Sequence, residues 1–450
     1  MKKSPLSVPN APVSSRFLDR VARRIVTSQL AGLRRGEVIV KEADRTTTLG
    51  EQADLQATIR VHRPKFFREA LLGGTLSVGE SYLRGDWDCD DLMSLFRIFV
   101  RNRGSSNRLN SGLATLASYG HRLLHWWRAN TCTGSAQNIA AHYDLGNEFY
   151  RLWLDETMAY SSGIFTDSLA SLRDASIEKF DRVCRKLDLQ PSDSLLEIGT
   201  GWGGFAIHAA EHYGSSVTTT TISREQFQIA EQRIRARGLR RQITLIQQDY
   251  RNLTGKFDKL VSIEMIEAVG HRFLDQYFQK CGELLQPDGS FVLQAIVMPE
   301  RGYKRYLQSV DFIQRYVFPG GCLPSQTAIL ESVGRTTDLR LVHTEDFGLH
   351  YAETLRRWRR TFFERLDDVR QLGYSEEFIR LWNYYLCYSQ AAFEEGSVGL
   401  VQMQFDKPEC RRDMIALGER VAAVRFPSRS LPFANAMSSQ QPTCELGVRS

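Results

Sequence analysis

From about residue 168 the chain alternates short apolar, β-branched runs with amphipathic stretches of helical spacing. That alternation restricts the fold to a largely parallel sheet covered by helices on both faces. The pattern places strands at 194–198, 217–222, 243–247, 259–263 and 290–296, and helices at about 202–212, 223–237 and 272–285. The first strand runs Leu195-Leu196-Glu197-Ile198 into Gly199-Thr200-Gly201-Trp202-Gly203-Gly204-Phe205, a Gly-x-Gly-x-Gly turn that feeds a helix. Glycines there let backbone N–H groups approach a nucleotide-like ligand at the helix start. Ligands of such sheets bind beyond the carboxyl ends of the strands. The polar residues that break the apolar pattern fall at those ends: Thr221 and Gln226, Asp249 and Tyr250, Glu264 and Glu267, and Gln294.

Two of these ends narrow the chemistry. A dinucleotide site usually offers an acid to the ribose from the second strand, but this strand ends Thr219-Thr220-Thr221-Ile222-Ser223, so hydroxyl and amide groups take that part. The fourth strand, Val261-Ser262-Ile263, leads directly into Glu264-Met265-Ile266-Glu267-Ala268-Val269-Gly270 and sets two carboxylates three residues apart beside the expected pocket.

At 450 residues the chain has material for two domains, taking roughly 150 residues per domain as a soft prior. Residues 16–35 interleave Phe17, Val21, Ile25 and Val26 with Arg20, Arg23, Arg24, Arg34 and Arg35, a basic amphipathic helix that suits either packing or anionic headgroups. Residues 36–100 mix strand-like and helical runs with Gly-Gly turns, as in a small α+β unit. The expected division is therefore an N-terminal α+β domain over 1–110, a helical linker over 111–136, a second domain over 137–426 and a disordered tail over 427–450. Eight scattered cysteines without a Cys-x-x-Cys pair, and nine histidines without ligand spacing, point to reduced thiols and no metal. No run resembles a secretory signal or a membrane span, so the expected location is cytoplasmic. A net charge of +6 suits solubility or an anionic surface, and no basic run interleaved with aromatics suggests nucleic acid.

The order of motifs resembles the cyclopropane-fatty-acyl-phospholipid synthases. The matching segments begin with His142-Tyr143-Asp144-Leu145-Gly146-Asn147, Met158-Ala159-Tyr160-Ser161-Ser162 and the glycine turn. They continue through Thr221 to Gln226, Gln248-Asp249-Tyr250-Arg251, Met265 to Gly270, Tyr316 to Ser325 and Tyr351, in family order from about residue 137 to 408. The resemblance implies an α/β, Rossmann-like S-adenosylmethionine-dependent methyltransferase sheet with a smaller N-terminal α+β domain. It implies addition of a methylene to a cis double bond in a phospholipid acyl chain, by a protein peripheral on the inner face of the membrane, with a homodimer left open. Methylation of the same alkene to a methylenated or methyl-branched chain stands as an alternative, and a non-catalytic lipid-binding protein as one of another class.

By the same resemblance Tyr160, Ser161, Glu197, Gly199, Gly201, Thr221, Gln226, Asp249 and Tyr250 contact S-adenosyl-L-methionine. The reaction leaves a carbocation on the acyl chain, for which Tyr143, Tyr160, Phe165, Tyr303, Tyr316 and Phe318 are candidate aromatic walls. Ring closure then needs a base. In the family that base is a bound bicarbonate, held by a cysteine, a glutamate, a histidine, a tyrosine and the backbone at an isoleucine. Glu267, Ile296 and Tyr351 match this set, whereas Ser162 stands in the cysteine position and Gln294 in the histidine position. Glu264 and Gln294 together resemble a plant-like branch of the family. Ser389 occupies a position where members carry another cysteine, and Cys387 two residues earlier points elsewhere on a helix.

Overall fold

The computed structural model describes residues 13–102 and 145–411. The segment 103–144, which holds the expected linker, His142 and Tyr143, lies outside the described residues, as does the tail beyond 411. Residues 13–102 build a four-stranded mixed sheet from β1 (Gly36–Lys41), β2 (Thr46–Glu51), β3 (Gln56–Val61) and β4 (Trp87–Cys89), in the order β2-β1-β3-β4. The helices α1 (Val13–Leu30), α2 (Lys65–Leu83) and α3 (Leu92–Arg101) accompany it. The Gly73-Gly74 pair, read from the sequence as a turn, lies within the span of α2, where Gly74 adopts a non-helical φ of +60° and divides the span into two helical pieces across a kink. A left-handed backbone of that kind is open to glycine at little cost.

The second sheet has seven strands in the order β10-β11-β9-β8-β5-β6-β7. Its parallel part is β5 (Ser194–Ile198), β6 (Ser216–Thr221), β7 (Ile243–Gln247), β8 (Phe257–Ile263) and β9 (Leu285–Val297). At one edge β10 (Arg340–Asp346) pairs antiparallel with β11 (Gly399–Asp406), which in turn pairs antiparallel with β9. The sequence pattern places the five parallel strands within a few residues of these bounds; only β9 is markedly longer, starting at Leu285. It does not separate the antiparallel pair, whose β10 is mostly exposed and weakly apolar.

Helices complete both layers. Asn147–Arg151 is α4, and α5 (Leu172–Leu187) starts at a Ser171–Asp174 capping box and stops at the left-handed Asp188. The sheet then alternates with α6 (Gly204–Tyr213), α7 (Arg224–Ala236) and α8 (Leu274–Leu284). After β9 come α9 (Glu300–Tyr306), α10 (Phe312–Tyr316), α11 (Gln326–Thr336), α12 (Gly348–Glu364), α13 (Leu366–Gln371) and α14 (Glu376–Glu394).

The last of these, α14, joins the two sheets. Tyr384, Cys387 and Ala391 lie in the core of the N-terminal unit, while Trp382, Tyr385, Leu386 and Phe393 lie in an aromatic core against α4 and α12. A helix that is apolar on opposite faces must be covered on both. Polar contacts fix its register: the Arg380 guanidinium donates to Asp88 Oδ1 at 2.6 Å and to the Tyr82 and Trp87 carbonyls at 2.6 and 2.8 Å. Arg97 and Arg101 of α3 both reach Glu395, at 2.6 and 2.9 Å.

Candidate active site

The glycine turn is shaped for a ligand. Gly199 and Gly201 have φ of +107° and +52°, and a side chain added at Gly201 would meet nothing within 4 Å, so the backbone there faces open space. Beside it, Thr221 Oγ1 donates to Gln226 Oε1 at 2.9 Å and accepts from Ser223 N at 3.1 Å. Asp249 is held by Arg251, which donates from N, Nε and Nη2 at 3.0, 2.8 and 2.6 Å. Burial works against the Asp249 charge, but these bonds leave its carboxyl below the usual range. Tyr250 packs edge-on against Tyr277. Gly199, Gly201, Thr221, Gln226, Asp249, Tyr250 and Arg251, with Tyr160, Ser161 and Glu197, line one cavity of about 1180 Å³.

Glu197 is buried and accepts from Thr219 Oγ1 at 2.5 Å; burial pushes its carboxyl up to about 8 despite that bond and the charge of Lys179. Lys179 is fully buried, donates to Ser161 Oγ at 2.5 Å, and is pulled down to about 8 by burial, against the charges of Glu264, Asp155 and Glu197. The sequence pattern gave no reason to select it, because it sits among the apolar positions of α5.

The same cavity continues past an aromatic wall. Tyr160 and Tyr385 share a hydroxyl hydrogen bond of 2.9 Å, Phe318 lies 6.3 Å from Tyr160 between ring centroids, and Tyr351 stacks on Phe393 at 4.5 Å. Of the aromatic candidates, Tyr160 and Phe318 reach the cavity, while three are engaged elsewhere. Phe165 lies under the Arg357 guanidinium, Tyr303 bonds to His271 and Tyr316 donates to Glu80. Tyr385 and Phe393, which the motifs did not single out, line the cavity in their place. Ser389 also lines it, whereas Cys387 faces the N-terminal core with its thiol pushed up to about 12 by burial.

The acidic end brings together Ser162, Glu264, Glu267, Gln294, Ile296 and Tyr351. Glu264 Oε1 accepts from Ser162 N at 3.0 Å and Gln294 Nε2 at 2.7 Å, and Glu264 Oε2 accepts from Tyr351 OH at 2.7 Å. Glu267 Oε1 accepts from Ile296 N at 2.6 Å, and its Oε2 is buried without a hydrogen-bond partner. Burial, then the charge of Glu264, pushes Glu267 up to about 8. Burial also raises Glu264, opposed by Lys179 and its three donors. Of the two carboxyls, Glu264 has three hydrogen-bond donors and Glu267 a bare oxygen, so the surroundings favour a charge on Glu264 over one on Glu267. These positions do not leave a cradle for bicarbonate. Ser162 N, Gln294, Tyr351 and Ile296 N all donate to protein carboxylates, and Ser162 Oγ turns back to Gly163 O. Among the described residues no group of three or more His, Cys, Asp or Glu converges as a metal site.

Residues 131–403 match the family model described as mycolic acid cyclopropane synthetase. The chain is 36% identical over 353 residues to the cyclopropane-fatty-acyl-phospholipid synthase of Escherichia coli strain K12, covering 78% of this chain and 88% of that one. The chain belongs to this family. It is also 35% identical over 419 residues to the tuberculostearic acid methyltransferase UfaA1 of Mycobacterium tuberculosis, covering 89% of this chain and 92% of the relative. Among solved structures, mycolic acid cyclopropane synthase CmaA1 complexed with SAH and CTAB superposes with a TM-score of 0.57 at 30% identity, over 60% of this chain and 98% of that one. The protein is thus an S-adenosylmethionine-dependent methyltransferase of the cyclopropane synthetase family, and the open glycine turn with its polar rim fits that cofactor.

Proposed function

We propose that this protein adds a one-carbon unit from S-adenosylmethionine to a cis double bond in an unsaturated phospholipid acyl chain and closes it to a cyclopropane. The observation that carries this reading is the continuity of the cavity. It runs from Gly199, Gly201 and Asp249 past Tyr160 and Phe318 to Val26, Leu30, Ile59, Trp87 and Phe96 inside the N-terminal unit. An apolar space of that extent suits an acyl chain far better than a polar metabolite.

When bound, the cofactor supplies an electrophilic sulfonium methyl. The chain's own residues do the rest. Backbone at Gly199 and Gly201 would meet the cofactor, Thr221 and Gln226 would offer it hydroxyl and amide groups, and the wall of Tyr160, Phe318 and Tyr385 would exclude water. The faces of these rings stabilise positive charge on a hydrocarbon that has no heteroatom to hold it. Delivery of the lipid belongs to α1. Its Ala22, Val26 and Leu30 pack inward, while Phe17, Leu18, Val21 and Ile25 are exposed beside Arg20 and Arg24, a combination suited to the inner face of an anionic membrane. Arg23 does not join them, since it pairs with Glu42 at 2.6 Å. Among the described residues no helix is long and apolar enough to cross a membrane.

The similarity to a tuberculostearic acid methyltransferase over 92% of its length favours a second outcome at the same site, a methylenated or methyl-branched chain. Mass spectrometry of lipids from an expressing host separates the two. A gain of one CH₂ with loss of the olefin signal marks the ring, and the same gain with an olefin retained marks the methylenated chain. Lipids of unchanged mass would overturn the proposal.

A further inference from the structure

We propose that Glu264 is the proton acceptor of the reaction, a carboxylate built into the chain at the position where the family resemblance puts an exchangeable bicarbonate. The inference rests on the reading of the reaction given above. Three positions that the resemblance assigns to anion binding, those of Ser162, Gln294 and Tyr351, donate to the Glu264 carboxylate. A fourth, the Ile296 backbone, donates to Glu267. A small anion would have to displace Glu264 from these donors and bring a second negative charge into a buried site, which is costly.

The polarity of the arrangement is fixed from outside. The Lys186 ammonium, which can only donate, gives a hydrogen bond to Gln402 Oε1 at 2.7 Å; Gln402 Nε2 then donates to Gln294 Oε1 at 2.8 Å. The remaining end of Gln294 is its NH₂, and it faces Glu264 Oε1. This relay accounts for an amide at position 294: it can present only a donor toward Glu264. The backbone shows the same commitment. Glu264 is one of three non-glycine residues with positive φ among those described, at +49°, with its N–H donating to Gln294 O at 2.8 Å. A left-handed backbone is unfavourable for such a side chain and is retained where the aim of that side chain matters. The neighbouring Glu267, raised to about 8, holds a proton near neutrality and so sets no second charge beside Glu264.

The step balances without any further reactant. The alkene π pair forms a bond to the transferred methyl carbon as the carbon–sulfur bond breaks toward sulfur, leaving a cation on the adjacent chain carbon. Glu264 takes a proton from the new methyl group, the C–H pair closes the ring bond, and the proton later leaves to solvent. A hydride shift before the same deprotonation gives the methylenated chain instead, so Glu264 serves either product.

The test uses the full-length protein with labelled S-adenosylmethionine and vesicles of an unsaturated phospholipid. A parent protein that labels no lipid overturns the reading of the reaction together with this assignment. With an active parent, turnover is expected to be equal in decarbonated and bicarbonate-supplemented buffer; a rate that collapses without bicarbonate and returns with it overturns the assignment alone. Glu264→Gln should lower kcat by roughly 10²- to 10⁴-fold while S-adenosylhomocysteine affinity stays within about threefold. Glu264→Gly, which suits the local φ, opens the cradle, and added formate or bicarbonate should restore part of the lost rate. Full activity of either variant in decarbonated buffer would show that the proton leaves by another route.

Discussion

At the scale of single residues, Glu267 carries a consequence for stability. Its carboxyl is raised by burial and by Glu264 from an ordinary value of 4.5 to about 8. Between those values the folded state binds a proton that the unfolded state has released, so stability falls as pH rises through the window. Glu267→Gln keeps an oxygen to accept from Ile296 N and cannot ionise. Denaturant unfolding of parent and variant at about pH 5 and about pH 9 should show the parent losing more across the interval, by on the order of a few kcal/mol. Parallel losses would place the titration elsewhere. A second residue-scale expectation concerns the turn. Gly201→Asp puts a carboxylate into the open space at φ +52° and should abolish S-adenosylhomocysteine binding in calorimetry, with the fold retained by circular dichroism. Glycine turn, threonine strand and acidic pair are legible in the sequence because each is a local break in a periodic pattern. Tyr385 and the Lys186–Gln402–Gln294 relay are not, because their partners lie far along the chain and only the packed sheet brings them together, and Lys179 is not, because it sits among the apolar positions of α5.

At the scale of elements, the parallel strands β5 to β9 are legible because each holds a short apolar or β-branched run between breaks, and α1 because its apolar spacing is helical. The spacing of α1 alone does not say which residues turn inward. Packing answers: Ala22 and Val26 are 3% exposed, whereas Phe17 is 61% and Leu18 52% exposed. The division yields a prediction specific to the outward face. Replacing Phe17, Leu18 and Val21 by Ser should weaken cosedimentation with anionic vesicles by about tenfold or more, since each lost apolar side chain is worth on the order of 1 kcal/mol or more at an interface. Arg20→Gln with Arg24→Gln should instead flatten the salt dependence of binding. Unfolding midpoints should stay near the parent's in both cases, because neither set packs in the core. Vesicle binding equal to the parent's in both variants would mean that α1 is not the membrane contact.

At the scale of the whole molecule, the relation between the two sheets explains why an acyl-modifying site and a small α+β unit share one chain. The cofactor end of the cavity is built by β5, β6 and β8, which any S-adenosylmethionine enzyme of this fold could offer. The apolar end is lined by α1, β3, α2 and α3, and α14 binds both ends together through its two apolar faces and the Arg380 contacts. If the acyl chain occupies that apolar end, narrowing it should act on the lipid and leave the cofactor alone. Val78 lines the cavity from α2, one turn beyond the Gly74 kink. Val78→Trp adds bulk there without touching the glycine turn or Glu264. The expected result is a higher KM for long-chain unsaturated phospholipid, a shift of the products toward shorter or less deeply placed double bonds, and unchanged S-adenosylhomocysteine affinity. Overpacking of a core typically costs about 1–3 kcal/mol, so the unfolding midpoint is measured alongside and should remain well above the assay temperature. A variant that is folded, binds the cofactor product and modifies every chain as the parent does would show that the acyl chain does not enter the N-terminal unit.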